Sequence, residues 1–199
     1  MKKVIFPILV ILAFVGVICC VKETHIGGEP ADIGEEGTEV RLGNESFSDV
    51  DISIVNCTNG VSEFAGTMTV TDERYLNIFK NHPKYFEVDG NSVRVHDVRF
   101  KFTDQGIENQ TGFLDGVVVS YDAKEGDKYV GGGREVTHVS TDNDYEWFIG
   151  KIKVIEVEGK IGEDGVSRIK YACNHRFGPV GIELVFEDGT TDKLDFRLW

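Results

Sequence analysis

The sequence predicts a mainly β fold, a β-sandwich or partly closed barrel with one short α-helix near residues 71–81, behind an N-terminal signal or anchor segment. Three observations carry that expectation. Apolar residues recur at every second position in stretch after stretch, the signature of strands that bury one face. One segment combines helical spacing with both a start and a stop signal. Of the 199 residues, residues 39–199 remain for a folded body, enough to bury about 70 % of the unfolded surface.

The N-terminus comes first. Met1-Lys2-Lys3 precedes an unbroken apolar run from Val4 to Val21, and Lys22-Glu23 returns the chain to polar composition. A short basic stretch before an apolar one is the pattern of an export signal. The end of the run, Val17-Ile18-Cys19-Cys20, resembles the lipobox of prokaryotic lipoproteins, with an aliphatic residue three positions before the Cys that is lipidated. The resemblance implies Cys20 as the lipidated residue and Val17 as the aliphatic one; Cys19 stands where lipoboxes carry Gly, Ala or Ser. Two other outcomes remain open. An uncleaved anchor is one, since 18 apolar residues reach the lower limit for spanning a bilayer, although Pro7 and Gly16 weaken the helix. Soluble secretion is the other, without a small-x-small cleavage site to mark it. All three place the remainder on the extracytoplasmic side, with residues 1–20 as signal or membrane anchor.

Residues 21–38 are rich in Gly and Glu and show no hydrophobic periodicity. They read as a flexible acidic tether that buries too little to offset its ordering entropy. As a Gly-rich coil it would reach roughly 20–25 Å.

Strands follow. Val50, Ile52 and Ile54 alternate with Asp51 and Ser53, and Phe64, Met68 and Val70 share a face. Val93 and Val95 precede Val98, Phe100 and Phe102, with a change of parity at His96-Asp97 that predicts a bulge or bend. Val117, Val119 and Tyr121 alternate next. Tyr145, Trp147 and Ile149 open a long strand continuing through Ile152 and Val154 to Val157, followed by Ile169, Tyr171 and Cys173. Val180, Ile182, Leu184 and Phe186 pair through Asp188-Gly189 with Leu194, Phe196 and Leu198. The helix at 71–81 has Thr71 to cap it, Asp72 and Glu73 at the positive end of its dipole, and His82-Pro83 to stop it. Tyr75, Leu76 and Phe79 face one way, so the helix closes one end or face of the sheets.

Val118-Val119-Ser120-Tyr121-Asp122, with Val130-Gly131 and Phe148 after it, resembles the middle of small Ig-like modules named for a Phe-x-Leu-Tyr-Asp motif. The resemblance covers about 35 residues and keeps two of the four motif positions. It implies an Ig-like β-sandwich and no catalytic site.

The net charge is −13, from 34 acidic and 21 basic side chains, and becomes −15 once residues 1–19 with Lys2 and Lys3 are removed. Such a surface repels phosphate backbones and excludes nucleic acid as a partner. Cys19 and Cys20 belong to the signal, leaving Cys57 and Cys173. In an oxidising compartment two such residues pair, closing a loop of about 116 residues and removing about 4–5 kcal/mol of unfolded-state entropy. Free buried thiols, or a site built from Cys173 and His175, are the alternatives. Asn44, Asn56 and Asn109 each begin an N-glycosylation sequon.

Catalytic patterns are sparse. No Gly-x-Ser-x-Gly elbow occurs, the five His are scattered, and Gly131-Gly132-Gly133 is not followed by Lys-Ser/Thr as a phosphate loop requires. No cofactor is read from the sequence. Calcium is the metal that the oxygen-rich Asp142, Asp144 and Glu146 would suit, as would Asp122, Glu125 and Asp127, although neither set follows the twelve-residue calcium loop. Tyr145 and Trp147 in line suit a sugar-stacking platform or a core stripe. The expectation is therefore a membrane-tethered, non-catalytic binding or accessory module of the cell envelope, with the membrane and a protein or glycan as partners. The alternative is a carrier for a metal ion such as calcium or for a small ligand, and the third reading is an extracytoplasmic hydrolase.

Overall fold

The computed structural model describes residues 21–22, 25–112, 114–130 and 133–199. Val17, Cys20, Gly131 and Gly132 lie outside that set. Among the described residues the strands are β1 (Val21–Lys22), β2 (Glu39–Gly43), β3 (Phe47–Thr58), β4 (Val61–Val70), β5 (Phe86–Asp89), β6 (Ser92–Thr103), β7 (Gly106–Asn109), β8 (Gly116–Ser120), β9 (Lys128–Tyr129), β10 (Arg134–Val139), β11 (Tyr145–Trp147), β12 (Gly150–Ile152), β13 (Ile155–Glu163), β14 (Val166–Asn174), β15 (Gly178–Phe186) and β16 (Thr191–Leu198). The α-helix α1 spans Glu73–Asn81. The protein is mainly β, and of the two architectures expected it takes the barrel. Fourteen of the described strands form one sheet, ordered β1-β9-β10-β13-β14-β15-β16-β2-β3-β4-β6-β7-β8 with β5 on β6, and the sheet wraps into a nearly closed barrel.

Most pairings are antiparallel neighbours in sequence, so short turns alternate between two ends. One end, the mouth, carries the β2–β3, β13–β14 and β15–β16 turns. The other, the base, carries the β3–β4, β6–β7 and β14–β15 turns. The change of parity at His96-Asp97 is a bulge within β6: Phe64 pairs with Val98 but Gly66 with Val95, and Asp97 adopts φ 54°. Gly66 has φ 148°, and a Cβ there would sit 2.0 Å from the Asp51 carbonyl oxygen. Only glycine lets β3 and β4 approach so closely.

A barrel must deal with its seam, because an open edge exposes unpaired backbone. Between β8 and the β9–β10 hairpin, side chains replace the missing ladder. Arg134, 2 % exposed, donates Nη1 to the carbonyls of Asp115 and Val117, both at 3.0 Å, and Nη2 to that of Leu114. The Tyr129 hydroxyl accepts from the Ser120 N–H at 2.9 Å, and burial pushes its phenol up to about 12. With the seam covered, Val117, Val118 and Val119 are all buried, and β8 does not show the one-faced alternation the sequence suggested.

Three expectations need correction. The stretch from Tyr145 to Val157 is not one strand: β11 and β12 form a separate hairpin that turns at Phe148-Ile149, with Gly150 at φ 116°. It folds over the outer face of β14 and β15, where Tyr145, Trp147 and Phe177 pack on Ile152, Val154, Ala172 and Val180 as a second, smaller core. Tyr145 needs Gly181 beneath it, since a Cβ there would lie 2.1 Å from the tyrosine oxygen.

The expected tether does not behave as one over residues 25–38. His25 Nδ1 meets Glu108 Oε1 at 2.9 Å, and the Ile26 N–H donates to Glu108 Oε2 at 2.9 Å. Ile26 is buried, the Ala31 N–H donates to the Phe102 carbonyl, and Ser62 Oγ donates to the Gly34 carbonyl at 2.6 Å. A 3-10 turn, Asp32–Gly34, carries Ile33 across to Gly178. The segment is thus a strap across the base, and its backbone partners are supplied by strands distant in sequence.

The disulfide is absent. Cys57 and Cys173 are both free, because β3 and β14 stand four strand spacings apart in the sheet, roughly 19 Å along it, far beyond bridging distance.

Candidate functional site

The barrel encloses a cavity of about 500 Å³ lined almost wholly by apolar side chains. It follows from geometry. Eight strands make a barrel that side chains can fill, and the width grows with strand number, so this longer circuit leaves a lumen. Its walls come from the inward residues of the central strands: Leu42 on β2, Ile52 on β3, Phe64 and Met68 on β4, Phe100 and Phe102 on β6, Ile169 and Tyr171 on β14, Ile182 and Leu184 on β15, and Phe196 on β16. Leu42, Phe100, Ile182 and Phe196 point inward yet are only half-buried. That residual exposure is to the cavity.

Helix α1 roofs the mouth. Asp72, rather than the predicted Thr71, is its N-cap: Oδ1 accepts from the Arg74 N–H at 2.8 Å. The Arg74 guanidinium clasps the same carboxylate and holds it below its ordinary range. Tyr75, Ile78 and Phe79 face down into the cavity, and Tyr75 meets Phe47 edge-on with ring centroids 4.8 Å apart.

Polar contacts tie the roof to the rim at both ends. At the start, the Tyr75 hydroxyl donates to Asp192 Oδ2 at 3.0 Å and Arg74 Nη1 donates to Thr190 Oγ1 at 3.1 Å. Burial and the Asp192 carboxylate push the Tyr75 phenol well up, so it remains a donor at any physiological pH. At the end, Asn81 Nδ2 donates to Asp164 Oδ1 at 2.6 Å and His82 Nε2 lies 2.7 Å from Asp164 Oδ2. Two hairpin turns of the sheet, β13–β14 and β15–β16, thus hold a helix that also stands on β5. The cavity-facing chemistry is apolar, and the polar residues His82, Asn109, Glu163 and Asp164 gather at the rim.

No family model, curated protein or solved structure matches the chain.

The residues singled out in the sequence do not meet at this cavity, Asn109 excepted. Cys173 lies on the inner side of β14, 0 % exposed, where burial pushes its thiol up to about 12 and keeps it protonated. Cys57 is half-buried near the base, and His175 is exposed in the β14–β15 turn. Asn56 is exposed and Asn44 half-buried, but Asn109 is 4 % exposed and donates to the Leu114 carbonyl while accepting from the Thr111 N–H. An amide so buried and engaged is not accessible to a glycan in the folded protein.

Asp142, Asp144 and Glu146 lie at the base. Asp144 is taken up by Ser140 Oγ at 2.5 Å and His138 Nε2 at 3.2 Å, and Glu146 faces Lys151 at 3.8 Å. Among the described residues no group of three or more His, Cys, Asp or Glu is placed to hold a metal ion. Tyr145 and Trp147 form part of the outer core rather than an open platform.

The sequence did mark the helix and its apolar face. It gave no signal for the lumen, because inward residues of a wide barrel alternate as those of a filled one do. Asp164, Asp192 and Arg134 were also invisible, since each works through partners far away in the chain.

Proposed function

We propose that the protein is a non-catalytic binding protein that takes an apolar small molecule into the barrel, held at the extracytoplasmic face of a membrane by its N-terminal segment. The cavity of about 500 Å³ carries this reading. It lies in the size range of small-ligand sites, and its apolar walls with a few polar groups at the rim suit a hydrocarbon body with a polar end. Binding rather than catalysis is supported by the engagement of the rim side chains: His82 and Asp164 hold the roof, and Asn109 holds its own loop. The acidic composition suits a partner without phosphate-rich surfaces.

The test is titration with cis-parinaric acid, a fluorescent single-chain fatty acid, against the native protein and Ile182→Trp. Ile182 faces the lumen and is half-buried, so the indole has room to grow inward. Saturable binding by the native protein, weakened at least tenfold by Ile182→Trp with no loss of thermal stability, supports the reading. Absence of saturable binding, or equal affinity in both, contradicts it.

A further inference from the structure

The rim of the cavity has a sign. Among the described residues no Lys or Arg side chain lines the cavity, whereas Glu163 and Asp164 do. The three mouth turns, residues 44–46, 164–165 and 187–190, hold Glu45, Asp164, Glu187 and Asp188 and no Lys or Arg. Widening each turn by two residues at both ends adds Glu163 and Asp192 and still no cation. The cations of the helix side are engaged or turned away: Arg74 clasps Asp72, Lys84 lies over the Tyr85 ring at 5.1 Å, and Lys80 is exposed and outside the lining. His82 does line the cavity, bound to Asp164. Even as an imidazolium it sets one positive charge against the two carboxylates of Glu163 and Asp164. Glu163 itself is exposed and pairs with no cation among the described residues.

The same end of the roof gathers aromatic rings. The His82 N–H donates to the Phe79 carbonyl and the Phe86 N–H to the His82 carbonyl, which brings the Phe79 and Phe86 rings to 4.7 Å from each other beside the His82–Asp164 pair. Both rings line the cavity, with seven further Phe and Tyr side chains. A cation within about 6 Å of a ring centroid is drawn to the face of the ring. A nearby carboxylate adds Coulomb attraction, which is stronger beside an apolar wall than in water. An anionic head meets both effects with the opposite sign.

We propose that the barrel is built for a lipophilic amine, whose apolar body fills the lumen and whose ammonium group rests at the His82 end of the roof, against Glu163, Asp164 and the Phe79 and Phe86 rings. The inference rests on the barrel being a binding site and deepens that reading by naming the head of the ligand. The apolar body supplies most of the affinity, so a fatty acid also enters, with its carboxylate kept on the solvent side of the rim and with lower affinity than an amine of equal chain length.

The test keeps the chain constant and changes the head. N-phenyl-1-naphthylamine, a neutral apolar dye that brightens out of water, is bound to the native protein and displaced at neutral pH by decylamine, decanol or decanoate, each below the concentration at which it aggregates. Displacement by decylamine at a concentration at least fivefold lower than decanoate needs, with decanol between them, and a decylamine-to-decanoate preference cut at least threefold in Glu163→Gln, supports the proposal. The preference compares two heads within one protein, so a change in stability or in lumen shape does not by itself move it. Equal displacement by the three heads, or stronger displacement by decanoate, overturns the amine assignment and leaves the binding cavity standing. A preference for decylamine that is unchanged in Glu163→Gln overturns the assignment to this rim. Absence of saturable dye binding by the native protein overturns the binding function and the amine assignment together.

Discussion

The two ends of the barrel are closed by different means. At the base, residues 25–38 are woven into the fold by backbone hydrogen bonds to β3 and β6, a buried Ile26, and the buried Glu108 carboxylate. At the mouth, helix α1 spans the opening over unfilled space and is fastened to the facing turns by side chains, above all Tyr75 to Asp192 and His82 and Asn81 to Asp164. Closure by backbone is cooperative with the sheet, whereas closure by side chains, the polar ties together with Tyr75 and Leu76 in the core and Phe79 on Phe86, gives up no sheet hydrogen bonds when it opens. On the proposed binding function, the mouth is the entrance.

The largest effect should come from crowding the base. A Cβ at Gly34 would lie 2.8 Å from Ser62 Oγ and 3.1 Å from Phe102 Cβ, so Gly34→Val should lower stability by about 2–3 kcal/mol, read from urea unfolding. Next, Glu108→Ala should cost about 1–3 kcal/mol, because the Ile26 N–H loses its acceptor in a buried place. A base that tolerated both would break the comparison.

The base should also be the acid-sensitive end. Burial alone would raise the Glu108 carboxyl, but hydrogen bonds from His25, the Ile26 N–H and Gln110 bring it below its ordinary value. A carboxylate depressed in the folded state contributes stability that is full above its unfolded pKa and is lost as pH falls through its folded one. Hydrogen exchange at residues 26–34 should therefore accelerate below the usual carboxylate range in the native protein. In Glu108→Gln that acid-induced step should disappear.

At the mouth the expected effects on stability are smaller. Tyr75→Phe and Asp164→Ala should each cost about 1 kcal/mol while speeding uptake of cis-parinaric acid in stopped-flow fluorescence. Slower uptake, or stability losses equal to those at the base, would show that the helix is part of the fold's foundation. The smallest effect belongs to the thiols. Cys57→Ser should leave the melting temperature unchanged, and both thiols should react with an alkylating agent once the protein is unfolded without reductant.

How much of this was legible in the sequence differs between the same regions. Local features read well: the alternation of β3, β4, β15 and β16, the parity change at His96-Asp97, and a helix ended by His82-Pro83. What failed to show depends on residues far apart in the chain. The strap looked featureless because Ile26 is anchored by Glu108 and Ile33 by Gly178, neither of which composition can pair with it. The hairpin at 145–152 looked like a continuous strand because the alternation of Tyr145, Trp147 and Ile149 persists through a turn that Gly150 makes available. Cys57 and Cys173 suggested a bridge only while strand order was unknown. The cavity was the least legible feature, since its size is set by how many strands close the sheet.

The most direct test of the account is what occupies the lumen. Native mass spectrometry of the full-length protein, purified from the cells that make it, should show a fraction carrying a single bound lipophilic molecule, released on unfolding and absent from Ile182→Trp. A native protein that carries no such adduct and takes up no cis-parinaric acid, at any ratio of probe to protein, would contradict the reading of the barrel as a binding site.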